Sequence, residues 1–353
     1  MRSPAAAEPQ DRDSGLGQPI TPRTDYLAIP MSVSLRPSVI VRTFDEEQHI
    51  GRLLTGIHHQ TIGDPEIIVV DSGSTDRTVD IARSFSAKIV TIDPADFSFG
   101  RSLNRGCSEA SGDILVFISA HCWPTYDDWL ERLLEPFADP EVAIVYGKQR
   151  GNDTTRFSEH QIFRQWFPDQ KDSDQTHPFC NNANCAVRRS MWSERHYDET
   201  LTGLEDIAWA RDTLAGGHRI VYAPAAEVVH VHDETPTRIH HRYRREAIAF
   251  KRIYPQEVFT FVDFLRLTFA SIWGDLKEAR ASNESLRHAV GIFVFRIMQY
   301  SGTYRGFSQH GPIQSELKRK LYYPHPPRDA SAHTDPSSAG NPIGYLDLPR
   351  INR

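Results

Sequence analysis

The sequence predicts an α/β domain, a mostly parallel sheet flanked by helices, followed by a purely helical C-terminal region. Three observations carry this. Short apolar runs rich in β-branched residues alternate with amphipathic segments of about 10–15 residues through the first third of the chain, the pattern of parallel strands joined by right-handed helical crossovers. Beyond residue 237 the strand runs stop and only helical periodicity remains. No G-x-G-x-x-G follows the first strand, so the layout is Rossmann-like without the dinucleotide fingerprint.

Each element can be justified in order. "SVIVRTF" (38–44) is a strand, and "DEEQHIGRLLTGIHHQ" (45–60) a helix with an acidic first turn. "EIIVVDS" (66–72), "AKIVTID" (87–93) and "DILVFIS" (113–119) are further strands. Between them lie the helices "STDRTVDIARSFS" (74–86) and "SFGRSLNRGCSEAS" (98–111). The middle is mixed. "VAIVYGKQR" (142–150) is a strand, "FSEHQIFRQWF" (157–167) a helix, and "FCNNANCAVRRSMW" (179–192) a loop entering a strand or helix. "LEDIAWARDTLAGG" (204–217) is a helix stopped by two glycines, and 219–232 supplies short strands. The boundaries that follow are a Pro/Gly/Ser-rich disordered segment 1–36, a domain 37–236, helices over 237–322 and a disordered tail 323–353. Residues 37–122 form one half of the domain and 123–236 the other.

Composition narrows the function. The 353 residues carry a net charge of −6, which argues against a nucleic-acid binder that neutralises phosphates over a broad surface. Four scattered cysteines suit neither a disulfide scaffold nor a zinc finger, so a reducing cytoplasm is expected. The first thirty residues lack the apolar core of a signal peptide. No apolar run reaches the roughly 20 residues that span a bilayer.

In parallel sheets ligands bind beyond the carboxyl ends of the strands. Asp71 stands at such an end, where a carboxylate can accept a base N–H; the plainer reading is a helix cap by Ser74 or Thr75 with Asp76 in the first turn. Glu205-Asp206 opens a helix, either to favour its dipole or to supply a general base. His230 and His232, two apart on a β run, share a face, as metal ligands or as surface histidines. His121 ends the fourth strand in "FISAHCWP" (117–124), either packed or holding something.

Read in order, these stretches resemble the inverting nucleotide-sugar glycosyltransferases of family 2, which have the GT-A fold. "SVIVRTFDEEQHI", "IIVVDSGSTDRT", "GRSLNRGCSEASGDILVFISAHCWP" and "NNANCAVRRSMW" through "EVVHVH" match over about 37–235. The resemblance implies that Thr43, Phe44 and Glu46 border the nucleoside, with Ser72 and Ser119 nearby, and that Asp71 reads the base. Arg101 and Asn104 would approach the base, ribose or phosphates. Asp206 would be the catalytic base with Glu205 in reserve, and Asn181, Asn184 and Trp209 would meet the acceptor. A divalent metal, Mn²⁺ or Mg²⁺, would be held by His121 with His230 or His232.

The sequence departs from the family at Ser119-Ala120-His121, where Asp-x-Asp is usual. Imidazole suits Mn²⁺ better than Mg²⁺. A rhamnosyltransferase-like branch also tolerates such triplets, which points to a deoxysugar donor. The implied partners are a nucleotide-diphosphate sugar and a glycan, lipid-linked or small-molecule acceptor. The aromatic C-terminal helices could rest on a membrane surface or pair in a homo-oligomer. The competing expectations are a catalytically silent relative, suggested by the lost Asp-x-Asp, and a nucleotidyltransferase. The latter would want a Gly-rich loop with a Lys that "VRTFDEEQHIG" lacks.

Overall fold

The computed structural model describes residues 35–282 and 285–311; the segments expected to be disordered lie outside them, apart from residues 35 and 36. The parallel half contains β1 (Pro37–Thr43), α1 (Ile50–His58), β2 (Glu66–Asp71), α2 (Thr78–Ser84), β3 (Lys88–Thr91), α3 (Phe99–Ser108) and β4 (Ile114–Ser119). After it come β5 (Cys122–Pro124), α4 (Trp129–Leu134), β6 (Val142–Arg150), α5 (Phe157–Trp166), β7 (Asn184–Arg188) and α6 (Arg189–Glu194). The chain continues through α7 (Glu205–Ala215), β8 (Arg219–His230), α8 (Pro236–Ile253), α9 (Phe261–Ala281) and α10 (Ser285–Phe307). The 179–192 stretch therefore holds both a strand and a helix, and 219–230 is one long strand where short ones were expected.

The sheet order is β3-β2-β1-β4-β7-β6-β8-β5. The β3-β2, β2-β1, β1-β4 and β6-β8 pairs are parallel, whereas β4-β7, β7-β6 and β8-β5 are antiparallel. Alternation along β1 sorts the core onto two faces. Val39 and Val41 pack with Leu53, Leu54 and Ile57 of α1 and with Trp129 and Leu133 of α4. Ile40 packs on the other face with Leu103 and Cys107 of α3 and Ala210 of α7. Each such fully buried aliphatic side chain contributes about 1.5–3 kcal/mol.

One connection shapes the whole sheet. β4 ends at Ser119 and β5 starts at Cys122, so their facing ends are at most about 11 Å apart at 3.8 Å per residue. Yet β7, β6 and β8 lie between them in the order, a separation of about 19 Å in a flat sheet at 4.8 Å per strand. The sheet must curl, and the β6–β8 register slips between Val142 and Ile144 and between Gly147 and Gln149, irregularities of the kind that bend a strand. The curl brings the carboxyl end of β8 back to that of β4.

The C-terminal helices dock on this body. Gly302 and Gly306, one turn apart on α10, let it lie against α8: a Cβ on Gly302 would sit 2.4 Å from the His240 carbonyl, and one on Gly306 2.5 Å from the Ala247 Cβ. Arg296 of α10 meets Asp275 of α9 through two 2.8 Å hydrogen bonds, and the Ser158 hydroxyl of α5 donates to the same carboxylate at 2.6 Å. The outer face stays apolar and exposed, with Val262, Leu265, Phe269 and Trp273 on α9 and Val290, Phe293 and Ile297 on α10. Among the described residues no helix is long and apolar enough to cross a membrane.

Candidate active site

Because β1, β2 and β4 are parallel, Thr43, Asp71 and Ser119 end on one edge. The two loops that follow β1 and β2 are laced together. Asp45 N–H donates to Ser74 Oγ at 2.9 Å, and Thr75 N–H returns a bond to Asp45 Oδ1 at 2.8 Å. Glu47 Oε2 accepts from Arg77 N–H, and Asp76 Oδ2 accepts from Glu47 N–H. These cross-loop bonds explain two corrections. The acidic residues 45–47 are not in the first turn of a helix, since α1 starts at Ile50 and Asp45 takes a left-handed φ of 52°. Ser74 and Thr75 do not cap α2, which begins at Thr78 after Arg77. Asp71 instead binds its own turn, accepting from the N–H groups of Gly73 and Ser74. Gly73 has φ 91°, and a Cβ there would lie 2.6 Å from Pro94, so only glycine fits.

The Glu205-Asp206 pair is presented by a strained entry to α7. Leu204, its N-cap, sits in the left-handed region at φ 56°, a conformation that costs a non-glycine residue about 1–3 kcal/mol. The two carboxylates then diverge. Glu205 is buried and ion-paired to Arg42 of β1 at 3.2 Å. Asp206 is partly exposed. Its Oδ2 accepts from Asn182 N–H at 3.2 Å and its Oδ1 from Ile207 N–H at 2.8 Å. Burial, reinforced by the neighbouring Glu205 charge, pushes the Asp206 carboxyl up to about 7, against the downward pull of those two N–H groups.

Pairing of Cys122 with His230 places His121 beside the end of β8, and Val231 N–H donates to the His121 carbonyl at 3.2 Å. The result is a convergence of three imidazoles. His121, His230 and His232 offer ligand atoms that all lie within 4.8 Å of one another. Each Nδ1 is already engaged: His121 with Glu46 Oε1 at 2.7 Å, His230 with Gln149 Oε1 at 2.6 Å and His232 with Glu159 Oε1 at 2.7 Å. Partners of this kind orient a histidine and leave Nε2 as the free donor. The Nε2 of His230 is buried without a hydrogen-bond partner, a situation that costs about 1–3 kcal/mol unless something binds there. Burial, aided by the neighbouring His232 and His121, holds His230 well below the usual histidine value and hence neutral, the ligand form. Glu159 behaves oppositely. Burial alone would raise it, yet His232 and Arg242 bring it down to about 2. The three donors fit a divalent metal.

Residues 38–196 match the family described as Glycosyl transferase family 2. The chain is 27% identical over 222 residues to the O-antigen chain rhamnosyltransferase RfbN of Salmonella typhimurium, covering 59% of this chain and 70% of that protein. It is 29% identical over 195 residues to the O-antigen chain rhamnosyltransferase WbaN of Salmonella anatum, covering 52% of this chain and 62% of that one. Residues 38–196 form a glycosyltransferase family 2 domain. The fold of this glycosyltransferase is similar to that of the mannosyltransferase PcManGT of Pyrobaculum calidifontis, solved with GDP-Man and Mn²⁺. The TM-score is 0.53 at 18% identity, with 77% of this chain and 87% of that chain covered. The expected GT-A architecture is thereby met: a mixed sheet with flanking helices and a helical C-terminal region.

The expected site residues fall into two groups. Thr43, Phe44, Asp71, Ser72, Ser119, Glu205, Asp206 and the three histidines lie at or beside the strand ends, and Asn181 is in the loop before β7. Five side chains are engaged differently from expectation. Asn104 accepts from Trp192 Nε1 and Tyr197 N–H and donates to Tyr197 O and Glu199, so it is a structural clamp without free capacity for a nucleotide. Asn184, fully buried, accepts from Trp129 Nε1 and donates to the carbonyls of Lys148 and Ala226, not to an acceptor. Trp209 lies in the core with its Nε1–H on the Arg195 carbonyl. Glu46 backs His121, and Arg101 is ion-paired to Glu199 at 2.8 Å.

Sequence reasoning missed Arg42, Gln149 and Glu159. Two of them left a signal: Arg42 interrupts the apolar run of β1, and Glu159 shares the buried face of α5 with Phe163, one turn on. Gln149 left none.

Proposed function

We propose that the domain transfers a sugar from a nucleotide-diphosphate sugar to an acceptor hydroxyl, with inversion, in a single displacement. The observation that carries this reading is Asp206, a partly exposed carboxylate beside the strand ends whose ionisation sits near neutrality, as a general base requires. Asp206 takes the proton from the acceptor hydroxyl, and the resulting oxygen attacks the anomeric carbon from the face opposite the diphosphate. Glu205 is fixed by Arg42, and its charge keeps Asp206 basic. His121, His230 and His232 would hold the divalent metal that the resemblance to the family implies. When bound, such an ion neutralises charge developing on the leaving diphosphate.

Two relatives named as rhamnosyltransferases support a deoxysugar donor, UDP- or dTDP-linked. The acceptor class is a glycan, lipid-linked or small-molecule hydroxyl. A thermal-shift panel of nucleoside diphosphates and nucleotide sugars, each with and without Mn²⁺, tests this reading. Stabilisation by a UDP or dTDP sugar is expected; no shift with any nucleotide would overturn it. Donor bound but never transferred or hydrolysed would identify a catalytically silent relative.

The apolar strip on α9 and α10 supports a peripheral contact with the cytoplasmic face of a membrane, where aromatic side chains partition favourably. In liposome flotation the protein should rise with the vesicles, and Phe269→Glu with Trp273→Glu should leave it in solution. Recovery of the unaltered protein entirely in solution would remove the membrane. A dimer in light scattering that those substitutions dissolve would assign the strip to a second copy.

A further inference from the structure

The ion-holding part of this site differs in kind from a carboxylate pair, and its surroundings say which ions it takes. Among the described residues no Asp or Glu joins the convergent group: the three donors are His121, His230 and His232. The negative charge absent from the strand-end triplet reappears one bond further out. Glu46 sits on His121 Nδ1 and Glu159 on His232 Nδ1, each at 2.7 Å. The third backing group, Gln149 on His230, is neutral. Glu159 is in turn fixed by Arg242 at 2.8 Å, and Arg242 by Glu234 at 2.7 Å, so this backing carboxylate of α5 is tied to α8 and held behind His232. The side chain of Glu159 is 3% exposed and that of Arg242 15%.

These facts bear on ion choice through elementary coordination chemistry. Mg²⁺ binds oxygen donors and sheds water reluctantly. Imidazole suits Zn²⁺, Co²⁺ and, more weakly, Mn²⁺, in the order set by the first-row series. A carboxylate hydrogen-bonded to the far nitrogen of a ligating imidazole raises its basicity and fixes its orientation. We propose that His121, His230 and His232 form a three-imidazole site that takes borderline transition ions and rejects Mg²⁺, with Glu46 and Glu159 supplying the counter-charge from behind the histidines. The site binds Zn²⁺ and Co²⁺ more tightly than Mn²⁺. This deepens the glycosyltransferase reading and rests on it only for the ion's use, since ion binding itself needs no sugar nucleotide.

The test is isothermal titration of the full-length protein, stripped with chelator, by Zn²⁺, Co²⁺, Mn²⁺ and Mg²⁺ separately and without nucleotide. One ion per chain is expected, tightest for Zn²⁺ and Co²⁺, at least 100-fold weaker for Mg²⁺. Co²⁺ should also develop the visible absorption of a nitrogen-ligated ion. His230→Ala should weaken Zn²⁺ at least 100-fold, and Glu159→Gln by about 10–100-fold, the usual range for an outer-layer partner. Circular dichroism checks that both variants fold, and His121→Ala stands in if either does not. Mg²⁺ binding as tightly as Zn²⁺, or Zn²⁺ binding that survives His230→Ala and His121→Ala, overturns the proposal. Failure here is separable from failure of the wider reading. Absent ion binding with intact donor binding sinks only the three-imidazole site, whereas the expected ion order with no nucleotide bound sinks only the transferase donor.

Discussion

Asp206→Asn is expected to lower sugar transfer by about 10²–10⁴-fold, the usual contribution of a positioned general base, while leaving donor binding intact. Asparagine keeps the shape but has a single acceptor oxygen, so it can accept from only one of Asn182 N–H and Ile207 N–H, and circular dichroism checks that the loop and helix start hold. What it loses is the lone pair that takes the acceptor proton. The pH profile gives a second readout. A base must be ionised to act, and burial together with Glu205 pushes the Asp206 carboxyl up to about 7. Transfer at low substrate should therefore rise with pH through about 7 and level off above it. Glu205→Gln removes the like charge, so the acid limb should move to lower pH. Turnover retained in Asp206→Asn, or an acid limb that Glu205→Gln leaves in place, would transfer the role elsewhere.

Arg296→Met is expected to destabilise the protein by about 3–5 kcal/mol, the usual result of stranding one member of a buried ion pair. Asp275 would lose two 2.8 Å hydrogen bonds and keep only the Ser158 hydroxyl, with its side chain 6% exposed. At about 2–4 °C per kcal/mol for a domain of this size, the melting midpoint should fall by roughly 10 °C. The pair ties α9 and α10 to α5, so protease sensitivity should appear first in the C-terminal helices. Adding Asp275→Leu should restore much of the loss, because two apolar side chains of similar volume replace a costly desolvated pair. An unchanged midpoint in Arg296→Met would show that the extension is held by the α8–α10 packing alone.

The parallel half of the fold was legible because its signals are local. β-branched runs such as "EIIVVD" and helices of fixed period declare themselves within a few residues, and order along the chain then dictates parallel pairing. Helix boundaries were less legible where polar side chains bond across space. Nothing local says that Asp45 and Glu47 clasp the turn at 74–77, and so the start of α1 was drawn five residues early. The same cause misplaced Asn104 and Asn184. A polar residue in a nucleotide-sugar motif looks like a ligand contact until its hydrogen bonds are counted, and both amides turn out to be engaged by the fold itself.

His121, His230 and His232 mark the division most clearly. Residue type and spacing in the sequence alone were enough to single out all three as candidates. That they face one another was decided by the curl of the sheet, which the two-residue link between β4 and β5 forces by carrying the chain from the middle of the sheet to its far edge. Contacts across more than a hundred residues of sequence arise from closing that curve, and no local pattern encodes them. Which of Glu205 and Asp206 remains accessible was decided in the same way, by Arg42 of β1 reaching Glu205 at the start of α7. Short-range propensity determined the elements of this protein; long-range closure of the sheet decided which of their side chains meet.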